Sequence, residues 1–77
     1  MSKIQSPTFS SMAEKWPSSW VARHEARNFT GGIVDPKYLA NLDCQGKGPA
    51  GRIRVGRKIA YPVDSFISWL QDRVEPL

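Results

Sequence analysis

The pattern of apolar and polar positions predicts a short amphipathic helix in the middle of the chain. Leu39 and Leu42 are three residues apart, so they share one face of a helix. Asp35 is a suitable N-cap, and Pro36 stands at the first helical position, where its missing N–H is not needed. Gly46 then offers a left-handed stop.

The opposite edge of this helix is polar. Lys37, Asn41 and Gln45 are spaced i, i+4, i+8 and therefore lie on one side. Asparagine and glutamine amides match the edge of adenine in a major groove, and lysine reaches phosphates or bases. An ordinary solvated helix face has the same spacing, so the helix alone does not decide its role.

A β-hairpin is predicted after the helix. Ile53 and Val55 alternate with charged neighbours, and Ile59 and Tyr61 do the same on the returning strand. Paired residues share a sheet face, so the loop length sets which side chains are buried. A two-residue loop would pair Arg54 with Ile59 and bury a charge. A three-residue loop, which pairs Val55 with Ile59, is therefore favoured.

The hairpin also holds most of the basic charge. The 77-residue chain has a net charge of +4, but residues 47–58 contain five basic residues and no acidic one. The rest of the chain is thus slightly acidic, and the charge is a local patch of the kind that phosphate binding requires. A hairpin with a merely soluble outer face is the alternative. The predicted loop is residues 56–58, and the candidate phosphate contacts are Lys47, Arg52, Arg54, Arg57 and Lys58.

A first helix is predicted upstream, over residues 22–29, and Gly31 and Gly32 supply the tight turn that joins it to the central helix. Arg23 and Arg27, one helical turn apart, are expected to be solvated, and contact with phosphates is the alternative. The two helices then form a helix-turn-helix, whose first helix crosses the DNA backbone in such modules. The positions expected to face inward or to form the corner are Val21, Ala26, Phe29 and Ile33.

A last helix is predicted after the hairpin. Pro62 ends the strand and Asp64 can cap the helix, in which Phe66, Trp69 and Leu70 share an apolar face. This helix is expected to pack under the hairpin.

The chain is expected to divide into three parts. Residues 1–15 are rich in serine and are predicted to be a flexible arm, and packing of Ile4, Phe9 and Met12 onto the domain is the alternative. Residues 16–74 form the domain, with Trp16 and Trp20 closing one end of its core. Residues 75–77 are expected to fray.

Several classes of protein are disfavoured by the composition. The lone Cys44 excludes an internal disulfide, and no Cys or His cluster suits a metal. Nothing orients Cys44 or His24 for chemistry, so no enzyme, catalytic residue or cofactor is expected. No apolar run reaches the roughly 18 residues of a membrane span, and no leader pattern is present. A cytoplasmic, nucleoid-associated protein is expected.

The order of the elements resembles that of a known family. A helix, the sequence GKGP, a basic hairpin ending in tyrosine and a helix containing VDSFISWL together resemble the AlpA and excisionase-type small DNA-binding proteins. These are winged helix-turn-helix modules related to the MerR N-terminal domain, and the match covers roughly residues 20–73. Tyr38, where a small hydroxyl residue is common, and the acidic Asp43 depart from the pattern.

The resemblance implies that the central helix reads bases through Lys37, Tyr38 and Asn41. It also implies that the hairpin is a wing carrying Arg54 and its basic neighbours.

The sequence therefore predicts one α+β winged helix-turn-helix domain, with three short helices and a two-stranded antiparallel hairpin, that binds double-stranded DNA sequence-specifically. The expected role is a phage- or prophage-type transcriptional regulator or an excisionase, which is a recombination directionality factor. A second copy on repeated or half-sites and an integrase or polymerase subunit are the further partners expected. A protein-interaction adaptor that docks an acidic partner is the alternative. The candidate DNA contacts are Pro36, Lys37, Tyr38, Asn41, Gln45, Lys47, Arg52, Arg54, Arg57 and Lys58.

Overall fold

The computed structural model describes residues 6–75, and it describes side chains from Phe9 onward except that of Ser10. Within these residues the fold is α+β, as predicted, but it has four α-helices and a three-stranded antiparallel sheet, so the predicted three helices and two strands are wrong. The strand order is β1-β3-β2. The elements are α1 (Ser6–Lys15), β1 (Trp20–Ala22), a 3₁₀ turn (Arg23–Glu25), α2 (Ala26–Thr30), α3 (Pro36–Cys44), β2 (Ile53–Val55), β3 (Lys58–Pro62) and α4 (Val63–Asp72).

The third strand, β1, replaces the start of the predicted first helix. Its central residue, Val21, pairs with Tyr61 of β3, and both side chains are fully buried. Burial of a β-branched residue against the sheet explains why the chain is extended here. Helix α2 therefore begins only at Ala26 and ends at Thr30.

The hairpin register differs from the predicted one. Arg54 pairs with Ile59 and Val55 with Lys58, so the loop is the two-residue Gly56-Arg57 turn, in which Gly56 has a φ of 62°. The predicted three-residue loop is wrong because it assumed that the face under β2 is buried. Strand β2 lies at the sheet edge and all its residues are exposed, so Arg54 keeps its hydration beside Ile59.

The core is organised around Phe66 of α4. Its ring is fully buried and meets the rings of Phe29, Tyr61 and Trp69 edge to face, with centroids 5.3, 5.5 and 5.7 Å away. Edge-to-face aromatic pairs add stabilisation beyond the area that they bury. The predicted inward positions Val21, Ala26, Phe29, Leu39, Leu42, Phe66 and Trp69 are confirmed as buried.

The corner between α2 and α3 is closed by a hydroxyl group. Thr30 Oγ1 donates to the carbonyl of Ala26 at 2.8 Å and accepts from the N–H of Val34 at 3.0 Å. Val34 is thereby buried, whereas Ile33, which was predicted to pack at the corner, is 80% exposed. Gly31 has a φ of 70°, as the predicted tight turn requires.

Both long helices after the corner begin close to the predicted positions. The carboxylate of Asp35 accepts from the N–H of Lys37 at 3.3 Å, and Gly46 has a φ of 74° just beyond the C-terminus of α3. In α4 the N-cap position is Pro62, so Asp64 lies in the first turn and is not the cap. None of the helices in residues 6–75 has the length and apolar character needed to cross a bilayer.

Helix α1 lies where a flexible arm was predicted. Met12, Ala13 and Trp16 are partly buried against the core, and the rings of Trp16 and Phe29 are 5.2 Å apart. This apolar edge, which the serine-rich composition obscured, accounts for the helix. Trp16 thus covers the core as expected, but Trp20 is largely exposed. The rest of the predicted arm, residues 1–5, and the terminal residues 76–77 lie outside the described residues.

Replacing Phe66 with Ala should remove most of the stability, because three aromatic neighbours lose their partner. We expect a cost of about 3 to 5 kcal/mol, against a total of about 5 to 15 kcal/mol for a typical domain. Urea denaturation followed by circular dichroism measures it. The matched control is Ile33→Ala, an exposed truncation that should cost less than about 0.5 kcal/mol. Equal costs for the two variants would contradict this description of the core.

Candidate nucleic-acid interface

Helix α3 presents a polar face to solvent. Lys37, Asn41 and Gln45 are all exposed on the side opposite the buried Leu39 and Leu42. The structure therefore brings these three predicted residues together. Pro36 is half-buried at the first position of the helix, where its ring fixes the backbone conformation, and it is not part of the exposed polar face.

Tyr38 lies on one flank of this polar face. Its hydroxyl accepts from Arg73 Nη2 at 3.3 Å, and the Arg73 guanidinium lies 4.8 Å from the centre of the Trp69 ring. The side chain is partly exposed but is directed toward the end of α4. Of the residues predicted on α3 for base reading, Tyr38 is thus set apart from Lys37 and Asn41.

The basic hairpin, which is β2, β3 and their loop together with the preceding Arg52, carries four positive charges and no acidic residue of its own. Its four basic residues and Lys47 are exposed. The loop before it is fixed to α4, because Trp69 Nε1 donates to the carbonyl of Lys47 at 2.8 Å. The sole acidic residue in positions 36–63 is Asp43. The basic residues of the hairpin are Arg52, Arg54, Arg57 and Lys58.

Asp43 is buried on the flank of α3 that faces the hairpin. Its side chain is only 5% exposed, and Oδ2 accepts from Arg23 Nη2 at 2.6 Å and from Tyr61 Oη at 2.6 Å. Arg23 Nε also donates to Tyr61 Oη at 3.0 Å, which closes a triangle of hydrogen bonds. The junction between α3 and the hairpin where these residues meet is called the seam below.

Two protonation equilibria are shifted at the seam. Burial and the hydrogen bond to Asp43 raise the pKa of Tyr61 to about 12, so the phenol keeps its proton across the physiological range. Partial burial acts to lower the pKa of Arg23, but its hydrogen bonds with Tyr61 and Asp43 outweigh that effect and the pKa is raised. The seam thus contains a fixed cation, a fixed neutral phenol and a carboxylate that receives two strong donors.

The other oxygen of Asp43 has a different environment. Oδ1 is buried without a hydrogen-bond partner among the described residues. Arg52 Nη1 is 3.9 Å away, which is ion-pair distance but too long for a hydrogen bond. Arg52 therefore approaches the carboxylate from the hairpin side, while Arg23 binds it from the 3₁₀ turn.

Sequence reasoning missed two parts of this arrangement. Arg23 was expected to be solvated, but it is held by Tyr61 and Asp43 because β1 places the 3₁₀ turn beside both α3 and β3. Asp43 was taken as a departure from the pattern of a DNA-reading helix, yet its charge is turned inward and paired. An acidic residue at a core-facing position of an amphipathic helix was the available signal. Among residues 6–75, no three His, Cys, Asp or Glu side chains are grouped so as to hold a metal ion.

The chain matches no protein-family profile, and no curated protein is significantly similar to it. The function proposed below therefore rests on the fold and on the arrangement of charged and amide side chains.

Replacing Gly48 with Ala should disturb the seam. A Cβ at this position would overlap Asp43 Oδ1, and the carboxylate is held by Arg23 and Tyr61. We expect a loss of about 1 to 3 kcal/mol in the free energy of unfolding. In an Asp43→Ala background the same change should cost much less, since the opposing atoms are gone. A cost that is the same in both backgrounds would contradict the expected overlap.

Tyr61 should make stability depend on alkaline pH. The folded state raises its pKa from the ordinary 10.0 to about 12, so the folded chain holds this proton more tightly than the unfolded chain. The resulting stabilisation, on the order of 2 kcal/mol, is complete below pH 10 and is lost as the pH rises through 12. Urea denaturation between about pH 9 and 12 should show a steeper fall for the native chain than for Tyr61→Phe. Parallel curves would contradict the shift.

Proposed function

We propose that the protein is a sequence-specific double-stranded DNA-binding protein of winged helix-turn-helix type. Helix α3 enters the major groove and the basic hairpin acts as the wing along the backbone. The observation that supports this most is the unmixed surface formed by the polar face of α3 and the hairpin, since the only acidic residue in positions 36–63 is buried. Within these positions a duplex backbone would meet no exposed carboxylate, and of the two that flank them, Asp35 is at ion-pair distance from Arg27 and Asp64 begins the first turn of α4.

The division of labour follows from the side chains. Asn41 is an amide in the middle of the exposed face of α3, where it can make a bidentate contact with adenine. Arg57 lies in the hairpin loop and Lys58 begins β3, so both reach beyond the body of the domain. Cations in such positions neutralise phosphates without reading the base sequence.

The cellular role proposed is that of a phage- or prophage-type transcriptional regulator or an excisionase. The order of elements from α2 to α4, with a basic hairpin between helices, supports it by its resemblance to AlpA and excisionase-type proteins. A domain with one short reading helix makes few base contacts, so repeated or half-sites bound by several copies are part of the proposal. An integrase or a polymerase subunit would then be the recruited partner, in the cytoplasm at the nucleoid.

A protein-interaction adaptor is the second candidate, and the outer face of the sheet favours it. By the strand register, Trp20, Ile53 and Val55 point to the same side of the sheet, and all three are exposed. An apolar surface that lies partly on the basic hairpin itself suits a partner with an acidic rim. Such a protein would bind one partner tightly and retain DNA only weakly and without sequence preference.

Variants of the wing and the reading helix should fail in different ways. The double change Arg57→Ala with Lys58→Ala removes two phosphate contacts, so affinity should fall for all duplexes and the slope of log K against log salt should shrink by roughly one unit per contact. Asn41→Ala should instead cost about 1 to 3 kcal/mol on the preferred site alone. Fluorescence anisotropy on selected and random duplexes measures both effects.

The outcomes separate the two candidates. Circular dichroism first establishes that each variant is folded. If Asn41→Ala weakens all duplexes equally while the wing pair alters sequence preference, the roles of helix and wing are reversed. If the unaltered protein binds no duplex in a salt-dependent way, the DNA-binding proposal fails and the adaptor replaces it.

A further inference from the structure

The seam collects two arginines on one buried carboxylate. Arg23 comes from the 3₁₀ turn, Arg52 from the start of the hairpin and Asp43 from α3. Their closest atoms are 2.6 Å apart for Arg23 and Asp43 and 3.9 Å apart for Arg52 and Asp43. Two guanidinium groups against one carboxylate leave the seam with a net positive charge.

Both arginines retain donors that can reach a ligand. A guanidinium has five N–H groups, and Arg23 uses Nε for Tyr61 and one Nη2 hydrogen for Asp43. Its other N–H groups donate to no described residue, and the side chain is 25% exposed. Arg52 makes no hydrogen bond within the described residues and its side chain is 49% exposed. The pair is thus anchored at its inner side and accessible at its outer side.

One oxygen of the Asp43 carboxylate, Oδ1, has no hydrogen-bond donor among the described residues, and Arg52 does not supply one. A buried carboxylate oxygen without a donor costs about 1 to 3 kcal/mol or more, and a pure structural role would favour closing Arg52 onto it. In the structure Arg52 Nη1 stops 3.9 Å from Oδ1, and Oδ1 is buried next to Gly48. Arg52 is therefore held by charge attraction but remains able to place its fork on a second anion.

The position of the seam indicates which anion this is. With α3 in the major groove and the hairpin beside it, one backbone strand of the duplex must pass the junction between them. Phosphodiester oxygens match the planar fork of arginine, and fixing the guanidinium beforehand lowers the entropic cost of the contact.

We propose that Arg23 and Arg52 form a phosphate-binding pair at the seam, positioned by Asp43, that holds the DNA backbone between the reading helix and the wing. This inference rests on the proposed function. Arg23 thereby becomes a DNA contact supplied by a part of the chain outside both α3 and the hairpin. Asp43 acts through the arginines and is a positioning residue, since it does not meet the DNA.

The first test compares charge-matched variants. Arg52→Gln and Arg23→Lys are measured against Lys15→Gln, which removes one positive charge, as Arg52→Gln does, from an exposed side chain at the end of α1, outside α3, the hairpin and the seam. The probe is a random-sequence duplex, and affinity is followed by anisotropy across a salt series. Arg52→Gln should lower the salt slope by roughly one unit and the affinity roughly tenfold. Arg23→Lys, which keeps the charge but loses the fork, should weaken binding with less change in slope.

The second test asks whether Asp43→Asn raises or lowers the affinity for DNA. Asp43→Asn removes a negative charge, so electrostatics alone predicts tighter DNA binding by the variant. If Asp43 positions the two arginines, the variant should bind more weakly despite its higher net charge. The loss caused by Arg52→Gln should also shrink in the Asp43→Asn background, because the anchor is already gone. Thermal denaturation establishes that each variant is folded at the temperature of the assay. Arg52 is exposed, so its variant keeps the test decisive if changes at Arg23 or Asp43 unfold the chain.

The outcomes distinguish this inference from the function on which it rests. If the protein binds duplexes and the wing variants lower the salt slope, but Arg52→Gln matches Lys15→Gln, only the phosphate pair is rejected. Tighter binding by folded Asp43→Asn rejects the positioning role. If the unaltered protein shows no salt-dependent binding to any duplex, the proposed function and the pair fall together.

Discussion

The buried carboxylate of Asp43 is the constraint on which the relative placement of the elements depends. Through Arg23 and Tyr61 it joins the 3₁₀ turn, α3 and β3 within one set of hydrogen bonds. Removing one partner of a fully buried ion pair costs about 3 to 5 kcal/mol. The Arg23 side chain is 25% exposed, so the cost here is at or below the lower end of that range, which is still a large part of what a domain of this size has. A well-packed apolar group in the same place can be equally stabilising. The polar arrangement therefore contributes mainly a fixed geometry between the polar face of α3 and the basic hairpin.

The aromatic core does not by itself fix the orientation of α3 relative to the basic hairpin. The aromatic contacts of Phe66 hold α4 against α2 and β3 from the inside, and none of these rings belongs to α3 or β2. Hydrogen bonds at 2.6 Å to a carboxylate are directional and short. The apolar core thus makes the chain compact, and the hydrogen bonds of the seam fix the orientation of the polar face of α3 relative to the basic hairpin.

Local sequence signals predicted the elements whose ends are marked by capping residues, proline or glycine. Asp35, Pro36 and Gly46 bound α3 correctly, and the spacing of Leu39 and Leu42 identified its buried face. These signals act within a few residues and need no knowledge of the rest of the chain.

Features that depend on contacts between distant parts of the chain could not be predicted in this way. Strand β1 exists because Val21 is buried against Tyr61, far along the chain, and the hairpin register depends on which face of β2 is covered. Because β2 is exposed on both faces, the alternation of apolar and charged residues in β2 and β3 is compatible with a two-residue or a three-residue loop. The polar face of α3 was predicted, but Arg23 was assigned to solvent because its partners lie on distant elements.

The sheet order has a consequence for how the chain folds. Because β1 and β2 both pair with β3, the helices α2 and α3 lie inside a loop of the chain that the pairing of β1 with β3 closes. Closing a loop of this length carries an entropic cost that a two-residue hairpin does not. We expect the hairpin and α4 to form early and β1 to dock late, so that Arg23 reaches Asp43 only when folding is nearly complete. The polar seam would then be assembled last, after the surfaces that it orients have formed.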